Sequence, residues 1–324
     1  MRSSPGGELD TVVRAFRQHG GRLTKSWLGL VPEIFGPSDW VRGPGDDAAA
    51  IGQPGDYILA AGEAISPPFI ESDPFGAGVA AAVTNVNDIA AMGGTSLALV
   101  DTVVAPEGTA RRVLQGLRRA SDLYGVPVVG GHLTVREGPP AVSAFVVGRA
   151  SNLLSARNVA PRQTLLLACC NRGRMRDDFP FFSSLDARAS TLEKDIKILP
   201  QLAGAGTCVA AKDISMAGLF GSLAMLLEPT GCGASVDLKR VPRPAGVGLV
   251  RWVAAFPSFG FFLCAPADRA SACRQAFTQR GLSCEEIGYV DDSGELKASL
   301  DGHHATVMDL HRESVTGLRD GGDG

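Results

Sequence analysis

Short apolar runs and amphipathic stretches alternate along residues 56–147 in the order strand, helix, strand, helix, strand, strand. The predicted strands cover residues 56–61, 97–104, 126–129 and 141–147, and the predicted helices cover residues 74–92 and 109–124. This order predicts a compact α/β unit in which helices pack against a sheet. The alternation resumes over residues 165–290, including one helix predicted over residues 191–202, after a turn-rich segment at residues 150–162. Together with the length of 324 residues, it predicts two α/β domains, residues 1–150 and residues 151–324.

Composition and charge exclude several classes of protein. The net charge of −3 gives no electrostatic case for a nucleic-acid partner. No apolar run approaches the ~20 residues that span a bilayer, and the first residues lack the apolar core of a signal peptide. The seven cysteines all lie in the second half and form no C-x-x-C pair, so buried reduced thiols are expected. We therefore expect a cytoplasmic protein without a membrane or nucleic-acid partner.

Two short blocks combine carboxylates with very small residues. The first is GDDAA at residues 45–49, and the second is NDIAAMGG at residues 87–94. Carboxylate oxygens are the ligands that Mg²⁺ prefers, and small residues let the backbone approach a phosphate closely. The alternative is an exposed turn at Asp46 and Asp47 and a helix-surface position for Asp88. Because both blocks fall at predicted element boundaries of one compact stretch, they favour a Mg²⁺–nucleotide site.

Four blocks stand in the order seen in the aminoimidazole-ribonucleotide (AIR) synthase superfamily. They are GDDAA at 45–49, NDIAAMG at 87–93, VGGH at 129–132 and DISMAGL at 213–219. The chain resembles this superfamily over nearly its whole length. The superfamily includes thiamine-monophosphate kinase, selenophosphate synthetase, formylglycinamide-ribonucleotide synthase and a hydrogenase maturation factor. The first half looks most like thiamine-monophosphate kinase, whereas residues 212–228 and 256–261 look more like the AIR-synthase-related branch.

The resemblance implies an AIR synthase-like α/β fold, with an N-terminal mixed α/β domain that forms a homodimer and a C-terminal α/β domain. It also implies that ATP and Mg²⁺ bind near acidic residues of the N-terminal domain, with substrate in the cleft that faces the C-terminal domain. Asp46, Asp47 and Asp88 match the metal-binding positions of the family. Glu63 lies close to an acidic block of the kinases and is a fourth candidate ligand. Such carboxylates hold Mg²⁺ against phosphate oxygens.

Five further residues are candidates for nucleotide binding. Gly93, Gly130 and Gly131 belong to the matching blocks and permit close approach of the backbone. Asn87 could hydrogen-bond a phosphate, or could cap a turn of helix. Lys212 could neutralise a phosphate as a point charge, or could be a surface lysine at a strand end.

The catalytic candidates are Asp213, Ser215 and His132. Asp213 and Ser215 belong to the second-half signature, in which Met216 replaces a second aspartate of the kinases. His132 stands where family members have Gly-Gly-Asp or Gly-Gly-Glu. A neutral imidazole cannot replace a carboxylate's charge, although it can ligate a metal or exchange a proton. A histidine satisfied by loop hydrogen bonds is the alternative.

The leading hypothesis is an ATP- and Mg²⁺-dependent enzyme that activates or phosphorylates an oxygen of a small polar metabolite. One alternative is thiamine-monophosphate kinase, which the first-half blocks favour and which Met216 and His132 oppose. Another is a non-catalytic nucleotide-binding maturation or partner protein that retains the dimer. Selenophosphate synthetase is disfavoured because its chemistry needs an N-terminal cysteine and lysine pair, and the first cysteine here is Cys169.

Overall fold

The computed structural model describes residues 5–36 and 45–318. The helices are α1 (Pro5–Arg17), α2 (Gly20–Lys25), α3 (Leu30–Phe35), α4 (Pro67–Ser72), α5 (Pro74–Ala91), α6 (Glu107–Tyr124), α7 (Leu192–Asp195), α8 (Ile198–Gly204), α9 (Gly218–Leu227), α10 (Leu249–Ala254) and α11 (Ala270–Thr278). The strands are β1 (Ala49–Gln53), β2 (Asp56–Ile65), β3 (Thr95–Ala105), β4 (Val128–Val135), β5 (Ala141–Ala150), β6 (Thr164–Cys169), β7 (Arg174–Met175), β8 (Phe181–Ser183), β9 (Ala210–Asp213), β10 (Gly233–Asp237), β11 (Phe256–Pro257), β12 (Gly260–Ala265), β13 (Ser283–Asp291), β14 (Glu295–Leu300) and β15 (His303–Asp309).

The first sheet has the strand order β1-β2-β5-β3-β4, with β3 and β4 parallel and the other pairs antiparallel. Helices α5 and α6 pack closely together on one of its faces. A Cβ atom on Gly78 would lie 2.0 Å from the carbonyl oxygen of Val113, and one on Gly116 would lie 2.1 Å from that of Phe75. Only glycine permits this separation, so α5, which carries the second acidic block, is fixed against α6.

The opposite face of the first sheet, here called the open face, is apolar and exposed. Its side chains alternate along the strands with those buried under the helices, as expected for a pleated sheet. The exposed apolar side chains on this face include Ile51, Ile58, Val100, Phe145 and Val147.

The second sheet has the strand order β15-β14-β10-β13-β6-β12-β9. Strands β12 and β9 are buried along their whole length, as the near-continuous apolar run in β12 requires. Helix α1 packs against this second core rather than against the first sheet, burying Leu9, Val12 and Phe16. A small third sheet has the order β11-β8-β7.

Several predicted elements are confirmed and one is wrong. Helix α5 begins at Pro74 as predicted, and the Asp73 carboxylate caps it by accepting a hydrogen bond from the Gly76 amide at 2.9 Å. The continuous helix predicted over residues 191–202 is instead divided into α7 and α8. Pro200 cannot donate to the carbonyl of Ile196, and its ring clashes with that group, so one helix cannot run through both segments.

Two other expectations concern the cysteines and the chain end. All seven cysteines are buried free thiols, as predicted. The Gly/Asp-rich composition from about Gly317 predicts a frayed end. Residues 319–324 lie outside the described residues, whereas the Gly317 amide donates to Ser314 Oγ at 2.7 Å. Within the described residues, no helix is both long and apolar enough to cross a bilayer.

Candidate active site

Three carboxylates from distant parts of the chain meet beside α5. Asp47 precedes β1, Asp88 lies in the last turns of α5, and Asp213 ends β9. One oxygen from each lies within 4.8 Å of the others. Two of them come from the first half and one comes from the second sheet, so the cluster forms only when the two halves pack together. We call these three residues the carboxylate cluster.

The ammonium group of Lys212 lies among these carboxylates. Its Nζ donates to Asp213 Oδ1 at 2.9 Å and also donates to Asp47 Oδ1. The amide of Asp213 donates to the second oxygen of Asp47 at 3.1 Å. The Lys212 side chain is 5 % exposed, which excludes a surface lysine. Burial opposes its charge, but the attraction of Asp213 and Asp47 is greater and raises the pKa of Lys212.

Asp88 is the cluster carboxylate that has no hydrogen-bond donor among the described residues. It is 9 % exposed, and its oxygens receive no hydrogen bond from the residues that the structure describes. Burial, followed by repulsion from Asp213 and Asp47, raises the pKa of Asp88 well above its ordinary value. Burial also raises the pKa of Asp47 to about 6, although Lys212 opposes this shift. A buried carboxylate with repulsive neighbours and no donor is costly unless a cation completes the site.

The residues fit a divalent cation in both charge and chemistry. Three carboxylates against the single ammonium of Lys212 leave two negative charges in a buried volume. Carboxylate oxygens are the donors that Mg²⁺ takes, usually one or two from protein with the rest from water and phosphate. The unpartnered Asp88 therefore offers a ligand, with Asp213 and Asp47 beside it.

Asn87, next to Asp88 on α5, also has an unpartnered atom. Its side-chain amide donates to the carbonyl oxygen of Ser258 at 3.0 Å, while its Oδ1 is buried without a hydrogen bond from the described residues. Buried polar atoms are rarely left this way in proteins. The free Oδ1 is an acceptor available to a ligand.

Glu63 lies at the margin of the carboxylate cluster. Burial raises its pKa, Lys25 opposes that shift by attraction, and Asp213 adds repulsion. Lys25 ends α2, which packs over the DISMAGL segment: a Cβ atom on Gly21 would lie 2.1 Å from the carbonyl oxygen of Met216. Lys25 could not be predicted from the sequence, because no motif surrounds it and its position depends on the packing of α2.

Asp46 is directed to a different part of the protein from its neighbour Asp47. Its two oxygens accept hydrogen bonds from Ser155 Oγ at 2.6 Å and from the Ala156 amide at 2.7 Å. Asp46 thus fastens the first acidic block to the segment that joins the two halves. The adjacent aspartates, predicted as a metal-binding pair, have different contacts.

The other predicted residues lie as follows. His132, Gly130 and Gly131 are in β4, and His132 is exposed with its Nε2 2.9 Å from Thr134 Oγ1. Ser215 follows β9, and its amide donates to Ser222 Oγ at 2.9 Å. Gly93 lies two residues after the end of α5 and has φ +76. A Cβ atom on Gly93 would lie 2.8 Å from the Cβ atom of Ala203. The structure therefore brings Asp47, Asp88 and Asp213 together, with Lys212 among them. Glu63 lies at the margin, and His132 is outside the carboxylate cluster.

The sequence of this chain matches two protein-family models. Residues 45–150 match the N-terminal domain of AIR synthase related protein, and residues 176–301 match its C-terminal domain. The chain belongs to the AIR synthase-related superfamily. The predicted fold class, an AIR synthase-like mixed α/β fold, is thereby confirmed.

Individual relatives support this assignment. An uncharacterised protein of Synechocystis is 34% identical over 318 residues, which cover 96% of this chain and 98% of that protein. Among solved structures, Thermotoga maritima PurL complexed with ADP has a TM-score of 0.76 at 16% identity, covering 93% of this chain and 51% of PurL. AaThiL complexed with AMPPCP and TMP has a TM-score of 0.66 at 16% identity, covering 86% and 95%. This chain thus spans about half of PurL, and likeness at such identity shows the fold alone.

Proposed function

We propose that this protein is an ATP- and Mg²⁺-dependent enzyme that activates or phosphorylates an oxygen of a small polar metabolite. The observation that carries the proposal is the buried, unpartnered Asp88 facing Asp47 and Asp213 with an excess of negative charge. Structures of the same fold that were solved with ADP or AMPPCP support a nucleotide as the ligand.

Each side chain of the site has a role in this proposal. Asp47, Asp88 and Asp213 would hold Mg²⁺, with Glu63 at the margin of the site. Asp46, also predicted as a ligand, would instead anchor the GDDAA block through Ser155 and Ala156. When bound, Mg²⁺ supplies positive charge to the phosphate oxygens. Asn87 accepts a hydrogen bond from ligand through its free Oδ1. Ser215 and His132 would face phosphate or substrate, and Gly130 would leave room for it. Gly93 and Gly131 instead make room for Ala203 and Asp101 of this chain. The site residues would bind and orient the nucleotide and the substrate. Phosphoryl transfer depends mainly on such positioning and on electrostatic stabilisation.

Calorimetry with Mg²⁺–ATP tests the proposal. Asp47→Ala and Asp88→Asn each remove a carboxylate from the cluster and should weaken binding by about 100-fold or more, a loss of about 3 kcal/mol. Asp122→Ala is the matched control, because Asp122 pairs with Arg118 on the exposed surface of α6. Equal affinity in the wild type and both cluster variants would remove the metal assignment.

Thiamine-monophosphate kinase is the narrower candidate, favoured by the first-half blocks and by the fold shared with AaThiL. It requires ADP release when thiamine monophosphate is added, and the absence of release would exclude it. Met216, which replaces the second aspartate of the kinases, is 45 % exposed beside Ser215. Binding of ATP without turnover across a metabolite library would instead favour the non-catalytic partner protein.

We also propose that two copies associate through the open face of the first sheet, as a cytoplasmic homodimer. The exposed side chains of that face, among them Val100, Phe145 and Val147, form an apolar surface that extends to Ile51 on the edge strand β1. Surfaces of this kind mark protein–protein contacts. A second copy presents the same apolar face and can cover it symmetrically.

A further inference from the structure

The position of Lys212 is unusual for a phosphate-binding lysine. A lysine that only contacts phosphate would reach the site from its rim with its ammonium toward the ligand. Here the ammonium lies inside the carboxylate cluster, held by Asp213 Oδ1 at 2.9 Å and by Asp47 Oδ1. Its side chain is nearly inaccessible to solvent. The Lys212 ammonium therefore lies where the carboxylates would otherwise bind a metal cation.

Some oxygens of the carboxylate cluster accept hydrogen bonds from protein donors, and others accept none from the described residues. Asp47 uses its second oxygen for the amide of Asp213. Neither the second oxygen of Asp213 nor the carboxylate of Asp88 receives a hydrogen bond from the described residues. The cluster thus already holds one cation, the Lys212 ammonium. Its free oxygens and its remaining two negative charges suit one further divalent ion.

Sites that transfer phosphoryl groups often use two divalent ions about 3.5–4 Å apart, which share carboxylate ligands. Resting on the proposed function, we propose that Lys212 is a built-in cation that takes the place of one of two such ions. The carboxylate cluster then binds one divalent ion with the nucleotide instead of two. Lys212 acts through Asp47 and Asp213, so it is a positioning residue and not a catalytic one.

The substitution Lys212→Met separates this role from simple packing. It keeps the length and apolar stem of the side chain but leaves three carboxylates with no counter-charge. The variant should accept a second divalent ion and should depend on it for stability. Lys239→Met is the matched control, since Lys239 pairs with Asp301 on the exposed surface.

Mn²⁺ binding in the presence of AMPPCP, followed by electron paramagnetic resonance, gives the number of ions per chain. We expect one for the wild type and Lys239→Met, and two for Lys212→Met. Without divalent ions, Lys212→Met should melt about 3–5 °C below the wild type. Saturating Mn²⁺ should remove most of that difference.

The double variant Asp47→Asn, Lys212→Met removes one charge of each sign. It should bind one ion and melt closer to the wild type than Lys212→Met does. One ion in Lys212→Met, or a melting deficit that persists at saturating Mn²⁺, would overturn the inference while the proposed function stands. Failure of both variants to fold with Mn²⁺ would also overturn it. A wild type that binds no Mn²⁺ with AMPPCP would remove the proposed function as well.

Discussion

The side-chain amide of Asn87 donates a hydrogen bond of 3.0 Å to the main-chain carbonyl oxygen of Ser258, 171 positions further along the chain. The hydroxyl of Ser258 in turn accepts from the amide of Ser184 at 2.9 Å. Asn87 precedes Asp88 on α5, and Ser258 follows β11. This contact therefore ties the helix that carries one cluster carboxylate to the second half, which supplies another.

Replacing Asn87 with alanine should loosen that connection. The Ser258 carbonyl would be left buried without its donor, so we expect the free energy of unfolding to fall by about 1–3 kcal/mol. Urea denaturation measures it. Ser258→Ala is the comparison, because it keeps the carbonyl bonded to Asn87 and removes instead the acceptor of the Ser184 amide, a contact within the second half. Unchanged stability in Asn87→Ala would show that this contact does not join the halves.

Asp88→Asn should weaken Mg²⁺ binding and should stabilise the metal-free protein. The amide removes a buried charge that is repelled by Asp213 and Asp47, so the metal-free protein should gain about 1 kcal/mol. The same variant should lose Mg²⁺-dependent stabilisation. Thermal melts with EDTA and with Mg²⁺ measure both effects. A variant less stable than the wild type in EDTA would contradict the unfavourable environment assigned to Asp88.

The metal-free protein should lose stability as pH rises from about 4 to 6. The pKa of Asp47 is raised in the folded state from 3.8 to about 6, so over this window the folded chain binds a proton that the unfolded chain has released. Asp88, shifted in the same direction, extends the loss to higher pH.

Mg²⁺ competes with these protons, so its affinity should increase about tenfold per pH unit up to about pH 6. Melting curves across this range, in EDTA and in Mg²⁺, check both trends. Asp47→Asn should flatten the metal-free profile below pH 6. Stability that increases with pH over this window in EDTA would contradict the raised pKa of Asp47.

Gly78→Ala should destabilise the first half by about 1–3 kcal/mol or more, because its Cβ would lie 2.0 Å from the Val113 carbonyl oxygen. Gly108→Ala is the matched control on the same pair of helices, since a Cβ there meets nothing within 4 Å. The control should be neutral or should gain up to about 1 kcal/mol from helix propensity. Equal denaturation midpoints for the two variants would refute the close α5–α6 packing.

Val147→Asp should dissociate the proposed homodimer. A carboxylate at the centre of an apolar interface has no partner, so the dissociation constant should rise about 30-fold or more, equivalent to about 2 kcal/mol. Sedimentation at several concentrations measures it. Tyr289→Asp, at an exposed position of β13 in the second sheet, is the control. Equal association in both variants would place the interface elsewhere.

The sequence signals were strongest where the chemistry is local. The glycines and carboxylates of GDDAA, NDIAAMGG and DISMAGL are motif residues, and Asp47, Asp88 and Asp213 do converge. The start of α5 was predictable because Asp73 and Pro74 act on adjacent backbone. The prediction of one continuous helix over residues 191–202 is wrong because Pro200 breaks the preceding turn, an effect that apolar spacing does not show.

The remainder depends on contacts between distant residues. Nothing beside Lys212 in the sequence shows that its ammonium reaches Asp47, 165 positions away. Nothing beside Asp46 shows that it binds Ser155 while its neighbour turns into the cluster. Lys25 and Ser258 reach the site only through packing of α2 and β11. Periodicity and motif order carry no such information.

The placement of α1 bears on how this chain can be divided for experiments. A fragment ending at residue 150 would carry Leu9, Val12 and Phe16 without the core that buries them. It would also hold Asp47 and Asp88 but neither Lys212 nor Asp213. We expect such a fragment to aggregate and to be unable to chelate Mg²⁺. Addition of a fragment of residues 151–324 should restore its solubility and its Mg²⁺ binding together.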